Sequence, residues 1–332
     1  MATIKDIAEE AGVSIATVSN VIRNANSHVS AETVERIQAI MKKLNYTPNM
    51  SARALVSKKS KIIGVLSYVG EVGEFRPDPF LGILFRAMES ALSKKGYYML
   101  QKTISSEKEL QDLYASWNLT GIIVHAAFEG TFFEQLESLP CPCVLIDSYI
   151  KNCPFPNVGI EDFKGAYLAT KHLIQNGHKN IAFVSPAIYE TGVIRERFEG
   201  YKAALKEAGI DFSEKNVFNV NALDEGEKIA SEIQKRHDIT AIFATADMLA
   251  YGIMSALQKQ GVKIPDDISI VGFDDLFCSS MITPALTTVR QDLNQRAVMA
   301  VNVLTGIIEN DEAVKNTMLA VELIERDSVR KL

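Results

Sequence analysis

Paired carboxylates, Asp274 and Asp275, close the apolar run ISIVGF in this chain of 332 residues. Two adjacent acids at a strand end can accept hydrogen bonds from two sugar hydroxyls, act as a glycosidase pair, or cap the next helix. Arg197, in RERFEGY, can offer a bidentate pair to vicinal hydroxyls or to a carboxylate. It can equally be a solvated helix charge. Asp247 follows TAIFATA and reads equally as a helix cap or a ligand group. Earlier in the chain, Ser67 and Tyr68, His125 and Asp147 each follow a short apolar run. Tyr68 can stack on a pyranose face, and His125 can bond a hydroxyl. Asp147 can bond a hydroxyl or brace the scaffold. Each type also occurs as a satisfied interior or loop residue. Trp117, in a helical stretch before Gly121, is expected in the core.

Other chemistries lack their signatures. There is no G-x-G-x-x-G, no Walker-type phosphate loop, no G-x-S-x-G elbow and no H-E-x-x-H. Cys141, Cys143, Cys153 and Cys278 have neither CxxC spacing nor nearby histidines, so free thiols in a reducing compartment are expected rather than a metal site or a Cys141/Cys143 redox pair. No cofactor is implied. The N-terminus MATIKDIAEE lacks a basic flank with an apolar run, and no stretch of 18 apolar residues is long enough to span a bilayer. A cytoplasmic protein with no membrane partner is therefore expected. Net charge is −6, but it is unevenly divided. Residues 1–60 carry 8 Lys/Arg against 5 Asp/Glu, and the remainder carries 27 against 36. Only the first segment has the sign for DNA.

The elements that must position these residues follow from pattern. Thr3 and Asp6 form a capping-box-like start to a helix over 4–11, with Ile7, Ala8 and Ala11 on one face. Gly12 permits a tight turn, and Ser14 can cap a second helix to about Ile22. This is helix-turn-helix spacing. Val13, Val18 and Val21 face inward, which leaves Ile15, Ala16, Ser19, Asn20 and Arg23 outward. Ser30 caps a third helix with the stripe Val34, Ile37, Met41 and Leu44. Beyond residue 60, β-rich runs at 62–69, 97–103, 120–126, 143–147, 180–185, 240–245 and 268–273 alternate with helical stretches such as 80–95, 163–176, 195–208 and 247–260. Such alternation predicts parallel sheets with crossover helices, in which a ligand sits outside the carboxyl ends of the strands.

TIKDIAEEAGVSIATVSNVI followed by VSAETVERIQAIMKKLNYTPNMSARAL resembles the DNA-binding head and hinge of the lactose-repressor (LacI/GalR) family. The resemblance continues more loosely through HLIQNGHKNIAFV, RERFEGYKAAL, TAIFATADMLAYGIMSAL, IPDDISIVGFDD and ELIERDSV. It implies a small all-α helix-turn-helix head over 1–47 and a hinge helix and linker over 48–60. These join an α/β core over 61–332, which has two doubly wound parallel-sheet subdomains, periplasmic-binding-protein-like. The N-subdomain then takes about 61–159 and 291–318, and the C-subdomain about 160–290 and 319–332. RNANSH, at Arg23 to His28, departs from the family's usual turn, and Ala246 stands where relatives commonly carry a polar side chain.

The resemblance makes the chain a sequence-specific transcriptional regulator acting as a homodimer on a double-stranded operator, with affinity lowered by a small sugar-like effector. A corepressor-dependent regulator is the alternative, and a sugar-processing enzyme a remote one. Asp274 and Arg197 become ligand contacts together with Tyr68, His125, Asp147 and Asp247, while Asp275 is structural. In the head, Ile15 and Ala16 are expected to meet thymine methyls and Asn20 an adenine, with Ser14, Thr17 and Ser19 on phosphates. In the hinge, Leu55 matches the leucine that wedges into the minor groove, flanked by Asn49 and Arg53. The resemblance places the dimer interface at Phe80–Leu92 and Leu276–Met281. The chain stops soon after ELIERDSV without a heptad tail, so a coiled-coil tetramer is not expected. The segment GEVGEFRPDP, Gly70 to Pro79, either reaches over the cleft or is a surface insertion.

Overall fold

The computed structural model describes residues 2–22, 29–47, 60–68, 78–126, 131–220, 225–310 and 316–332. They fall into two compact units, Met1–Ser60 and Lys61–Leu332.

The first unit is built on α1 (Ile4–Ala11), α2 (Ile15–Ile22) and α3 (Ala31–Lys43). Both halves of the capping box form: Asp6 N donates to Thr3 Oγ1, and Thr3 N donates to Asp6 Oδ2 at 2.7 Å. Gly12, at φ 65°, takes the left-handed conformation that ends α1 at little steric cost. Ser14 Oγ accepts from Thr17 N at 3.1 Å, and Ser30 Oγ accepts from Thr33 N at 3.3 Å, so short polar side chains open the next two helices. Ile7, Ala8, Ala11, Val18, Val21 and Ile37 are buried together, with Val13, Val34, Met41 and Leu44 packed around them. The apolar spacing therefore converts directly into a three-helix core.

Among the described residues, the second unit holds two six-stranded sheets. The first has the order β11-β5-β4-β3-β1-β2, where β1 is Ile62–Tyr68, β2 Tyr98–Ile104, β3 Gly121–His125, β4 Cys143–Ile146, β5 Asn157–Ile160 and β11 Thr317–Leu319. All its pairings are parallel. The second has the order β12-β10-β9-β8-β6-β7, where β6 is Ile181–Ser185, β7 Val217–Asn219, β8 Ala241–Ala244, β9 Ser269–Asp274, β10 Thr287–Arg290 and β12 Glu322–Ile324. Only β12 runs antiparallel to its neighbour. The chain passes between the sheets three times: after β5, after β10, and between β11 and β12.

Helices cover both faces of each sheet, as continuous apolar parallel strands require. On the first sheet, α4 (Pro79–Lys94) and α11 (Leu293–Asn310) pack on one face, and α5 (Glu107–Trp117) and α6 (Thr131–Ser138) on the other. On the second, α7 (Asp162–Gln175) and α8 (Val193–Glu207) cover one face, while α9 (Gly226–Gln234) and α10 (Asp247–Lys259) cover the other. Trp117 corrects one expectation. It ends α5 with 51% of its surface exposed, because Leu110 and Leu113 hold the buried face of that helix.

Candidate functional site

Three strands end in left-handed backbone on residues that are not glycine. Ala126 after β3 has φ 58°, Asp147 after β4 has φ 61°, and Asp274 at the end of β9 has φ 125°. Such backbone costs of order 1 kcal/mol or more per residue and persists where surrounding contacts fix it. Here it turns carboxylates from two different sheets toward one cleft of about 160 Å³. Asp78, His125, Asp147, Arg197 and Asp274 supply its polar lining, and Phe80, Ala126, Val193, Ala246 and Met248 its apolar lining. A larger groove of about 590 Å³, along Phe163, Lys202 and Phe212, has no buried polar group converging on it.

A chain of charge-assisted contacts joins the two sheets behind that lining. His125 Nε2 lies 3.3 Å from Asp147 Oδ2, and Arg296 Nη2 donates to Asp147 Oδ1. Arg296 Nη1 donates to Gln291 Oε1 at 2.8 Å, and Gln291 Nε2 donates to Asp274 Oδ1 at 2.7 Å. Burial opposes ionisation of Asp147, but the Arg296 guanidinium and His125 overcome it and hold the carboxyl well below its usual range. Asp274 has the opposite balance. Its burial outweighs the pull of Arg197 and pushes the carboxyl well above the carboxylate range.

Arg197 is held on three sides. Its Nε donates to Asp162 Oδ1 at 2.7 Å, its Nη1 to the Thr245 carbonyl at 2.5 Å, and its guanidinium lies 3.6 Å over the Phe273 ring. Burial works against its charge, and Asp162 and Asp274 more than compensate. Asp162 is itself buried and also accepts from the Tyr149 hydroxyl. Nε and Nη1 of Arg197 are therefore engaged inside the protein.

Of the sequence-derived candidates, His125, Asp147, Arg197 and Asp274 meet at the cleft. Tyr68 and Asp247 do not line it. Tyr68 stacks on Phe132 with ring centroids 4.1 Å apart, which occupies the face expected for a sugar. Asp247 is fully buried and works as a brace. Its carboxylate accepts from Leu276 N at 2.8 Å, Ser279 Oγ at 2.5 Å and Thr288 Oγ1 at 2.6 Å. Asp275 bonds Arg290 at 2.7 Å and Arg326 at 2.6 Å, a structural role. Sequence reasoning missed Asp162, Gln291 and Arg296. For Arg296 a signal existed: it shares a helical face with Leu293, Ala297 and Ala300, an apolar stripe where an arginine must find buried partners.

In the first unit, Ser14, Ile15 and Ala16 are exposed at the start of α2, Ile15 by 49%, while Thr17, Ser19 and Asn20 are half-buried. An exposed isoleucine at the first turn of a helix-turn-helix's second helix is placed for apolar contact in a major groove. Asn49, Arg53 and Leu55, the hinge helix, the turn at 23–28 and residues 70–77 of the expected loop lie outside the described residues. Asp78 and Pro79, at the end of that loop, are described: the Asp78 side chain accepts from Phe80 N and caps α4.

A helix-turn-helix unit followed by two doubly wound sheets around a strand-end cleft defines the class: a DNA-binding regulator with a periplasmic-binding-protein-like domain. Residues 3–49 match the bacterial regulatory proteins of the lacI family, and residues 170–329 match the periplasmic binding protein-like domain. The chain is 34% identical over 340 residues to the HTH-type transcriptional regulator MalR of Clostridium butyricum, covering 98% of both chains. It is 31% identical over 344 residues to the HTH-type transcriptional repressor PurR of Histophilus somni (strain 129Pt), covering 100% of both. The lac repressor dimer bound to operator and the anti-inducer ONPF superposes with a TM-score of 0.84 at 26% identity over 99% of both chains. The chain belongs to the lacI family of bacterial regulatory proteins and is a DNA-binding transcriptional regulator. No helix among the described residues is long and apolar enough to cross a membrane.

Proposed function

We propose that the chain represses transcription as a homodimer on a pseudo-palindromic operator and is released when a small sugar-like effector binds the cleft. The observation that carries this reading is the convergence of Asp147 from the first sheet with Arg197 and Asp274 from the second on one small cleft. A ligand bonded to both sheets stabilises one relative arrangement of them, so its binding energy becomes a bias on any equilibrium coupled to that arrangement.

On DNA, Ile15 and Ala16 read thymine methyls and Asn20 an adenine, while Ser14, Thr17 and Ser19 position the helix on phosphates. By their match to the family's hinge, Leu55 acts at the minor groove, and Asn49 and Arg53 flank it as groove or phosphate contacts. Two heads are required because one recognition helix makes too few base contacts for useful discrimination. The test is a titration of neutral sugars into the full chain bound to a duplex that it has selected from random sequence. Release of the duplex supports induction. Tighter retention would make the effector a corepressor and overturn this reading.

A further inference from the structure

Resting on the reading of this cleft as the effector site, we propose that Tyr149 is a positioning residue for the regulatory response. Its hydroxyl latches the chain where it crosses from the first sheet to the second, and so biases the arrangement of the two sheets on which operator binding depends. Tyr149 lies in the stretch between β4 and β5, two residues after Asp147 of the cleft wall. The crossover it touches is short: β5 ends at Ile160, and α7, which packs on the second sheet, starts at Asp162.

The Asp162 carboxyl group is divided between the two sides. Oδ1 accepts from Arg197 Nε at 2.7 Å, which ties it to a cleft residue carried by α8 on the second sheet. Oδ2 accepts from the Tyr149 hydroxyl, which comes from the first sheet's side. Asp162 is buried, so losing either donor costs more than it would in water. A turn of one sheet against the other strains this pair of bonds. The hydroxyl, for its part, has one proton and two acceptors. Besides Asp162 it lies 3.0 Å from the Ile160 carbonyl oxygen, at the end of its own sheet, and Ile160 N donates to it at 3.4 Å. Released from Asp162, the hydroxyl keeps a partner, so opening the latch orphans no donor on Tyr149. Such an exchange between acceptors favours two discrete arrangements over continuous bending. Gly159 leaves room for the hydroxyl: a Cβ there would lie 2.9 Å from the Tyr149 oxygen and 2.9 Å from Met318 Sδ. Arg197 connects the latch to the cleft, since a molecule bound to its guanidinium acts on Asp162 and through it on Tyr149.

The experiment compares the full chain with Tyr149→Phe and Gly159→Ala, at a temperature where circular dichroism shows every protein folded. Phenylalanine removes the hydroxyl, and alanine at 159 crowds it while the tyrosine stays. Tyr167→Phe, which removes an α7 hydroxyl bonded to Glu207, is the control. Affinity for a selected operator duplex is measured without sugar. Affinities for glucose, galactose, ribose, maltose and cellobiose are measured by calorimetry without DNA. Both latch variants should move operator affinity at least about threefold. Affinity for any panel sugar that releases the operator from the parent should move in the opposite direction, because two sites that favour different arrangements respond oppositely to a shift between them. A merely structural defect lowers both affinities together and would overturn the proposal. So would parent-like operator affinity in either latch variant, or an equal shift in Tyr167→Phe. If no panel sugar releases the operator from the parent while both latch variants shift operator affinity, the effector reading fails and the latch stands. If panel sugars release the operator from parent and latch variants at the same concentrations, the latch fails and the effector reading stands.

Discussion

Asp247 shows how one strand-end acid can be structural while its neighbour lines a site. Its carboxylate holds three donors, and burial lifts it to about 6 against the pull of Ser279, Thr288 and the Leu276 amide. The unfolded carboxyl titrates near 3.8, so between about pH 4 and pH 6 the folded chain keeps a proton that the unfolded chain has released. The stability contributed by Asp247 is therefore full below that window and is lost as pH rises through it. Asp247→Asn offers one acceptor oxygen to three donors. It should unfold more easily than the parent at pH 4 by roughly 1–3 kcal/mol, a difference that shrinks by pH 7. Urea midpoints of both proteins at the two pH values measure this, and a difference that grows with pH would contradict the assignment. The same residue marks the limit of what the sequence reveals. His125, Asp147 and Asp274 were legible because a doubly wound sheet places ligands after its strands, whereas Arg197, inside α8, was singled out by its RERFEGY motif. Tyr68 and Asp247 satisfy the same rule, yet point to Phe132 and to Ser279, because the direction of a strand-end side chain depends on local φ and on neighbours remote in sequence.

Elements were legible in proportion to their length and apolar run. The seven expected β runs all form, and the helices at 79–94, 162–175, 193–207 and 247–259 fall within two residues of expectation. Asn157–Ile160, Val217–Asn219, Thr287–Arg290, Thr317–Leu319 and Glu322–Ile324 were not anticipated, since three or four residues give too little period to separate strand from loop. Helix-to-helix contact was also hidden, although a glycine marks it. A Cβ on Gly200 of α8 would lie 2.1 Å from the Phe163 carbonyl oxygen of α7, and neither atom belongs to a flexible side chain. Gly200→Ala must therefore push the two helices apart, at a cost of about 1–3 kcal/mol or more. Arg197 lies one turn earlier on α8, and its partner Asp162 adjoins Phe163 on α7. The variant should lose effector affinity as well as stability, read by calorimetry and urea denaturation. Unchanged affinity in the folded variant would show that the Arg197–Asp162 pair does not depend on this contact.

The proposed homodimer is a property of the whole molecule, and the second unit exposes a surface that fits it. Phe277 and Met281 are 74% and 64% exposed, large apolar costs for a lone chain in water. They are also fixed in place: Leu276 N and Ser279 Oγ are bonded to Asp247, and the Tyr251 hydroxyl lies 2.7 Å from Ser279 Oγ. An apolar pair on a braced turn gives up little conformational entropy on association, as a self-complementary contact across a two-fold axis requires. The double substitution Phe277→Asp and Met281→Asp places two like charges on each side of such an axis. Its dimer dissociation constant should rise by at least about tenfold in sedimentation velocity. Because each head of the proposed dimer supplies half of the phosphate contacts, the slope of log affinity against log salt should fall to about half once the protein binds as a monomer. Thermal unfolding of the monomeric second unit should persist, since Asp247, Ser279 and Tyr251 are untouched. A variant that stays dimeric at the parent's concentration, with the parent's salt slope, would remove this surface from the interface and leave Phe80–Leu92 to carry it.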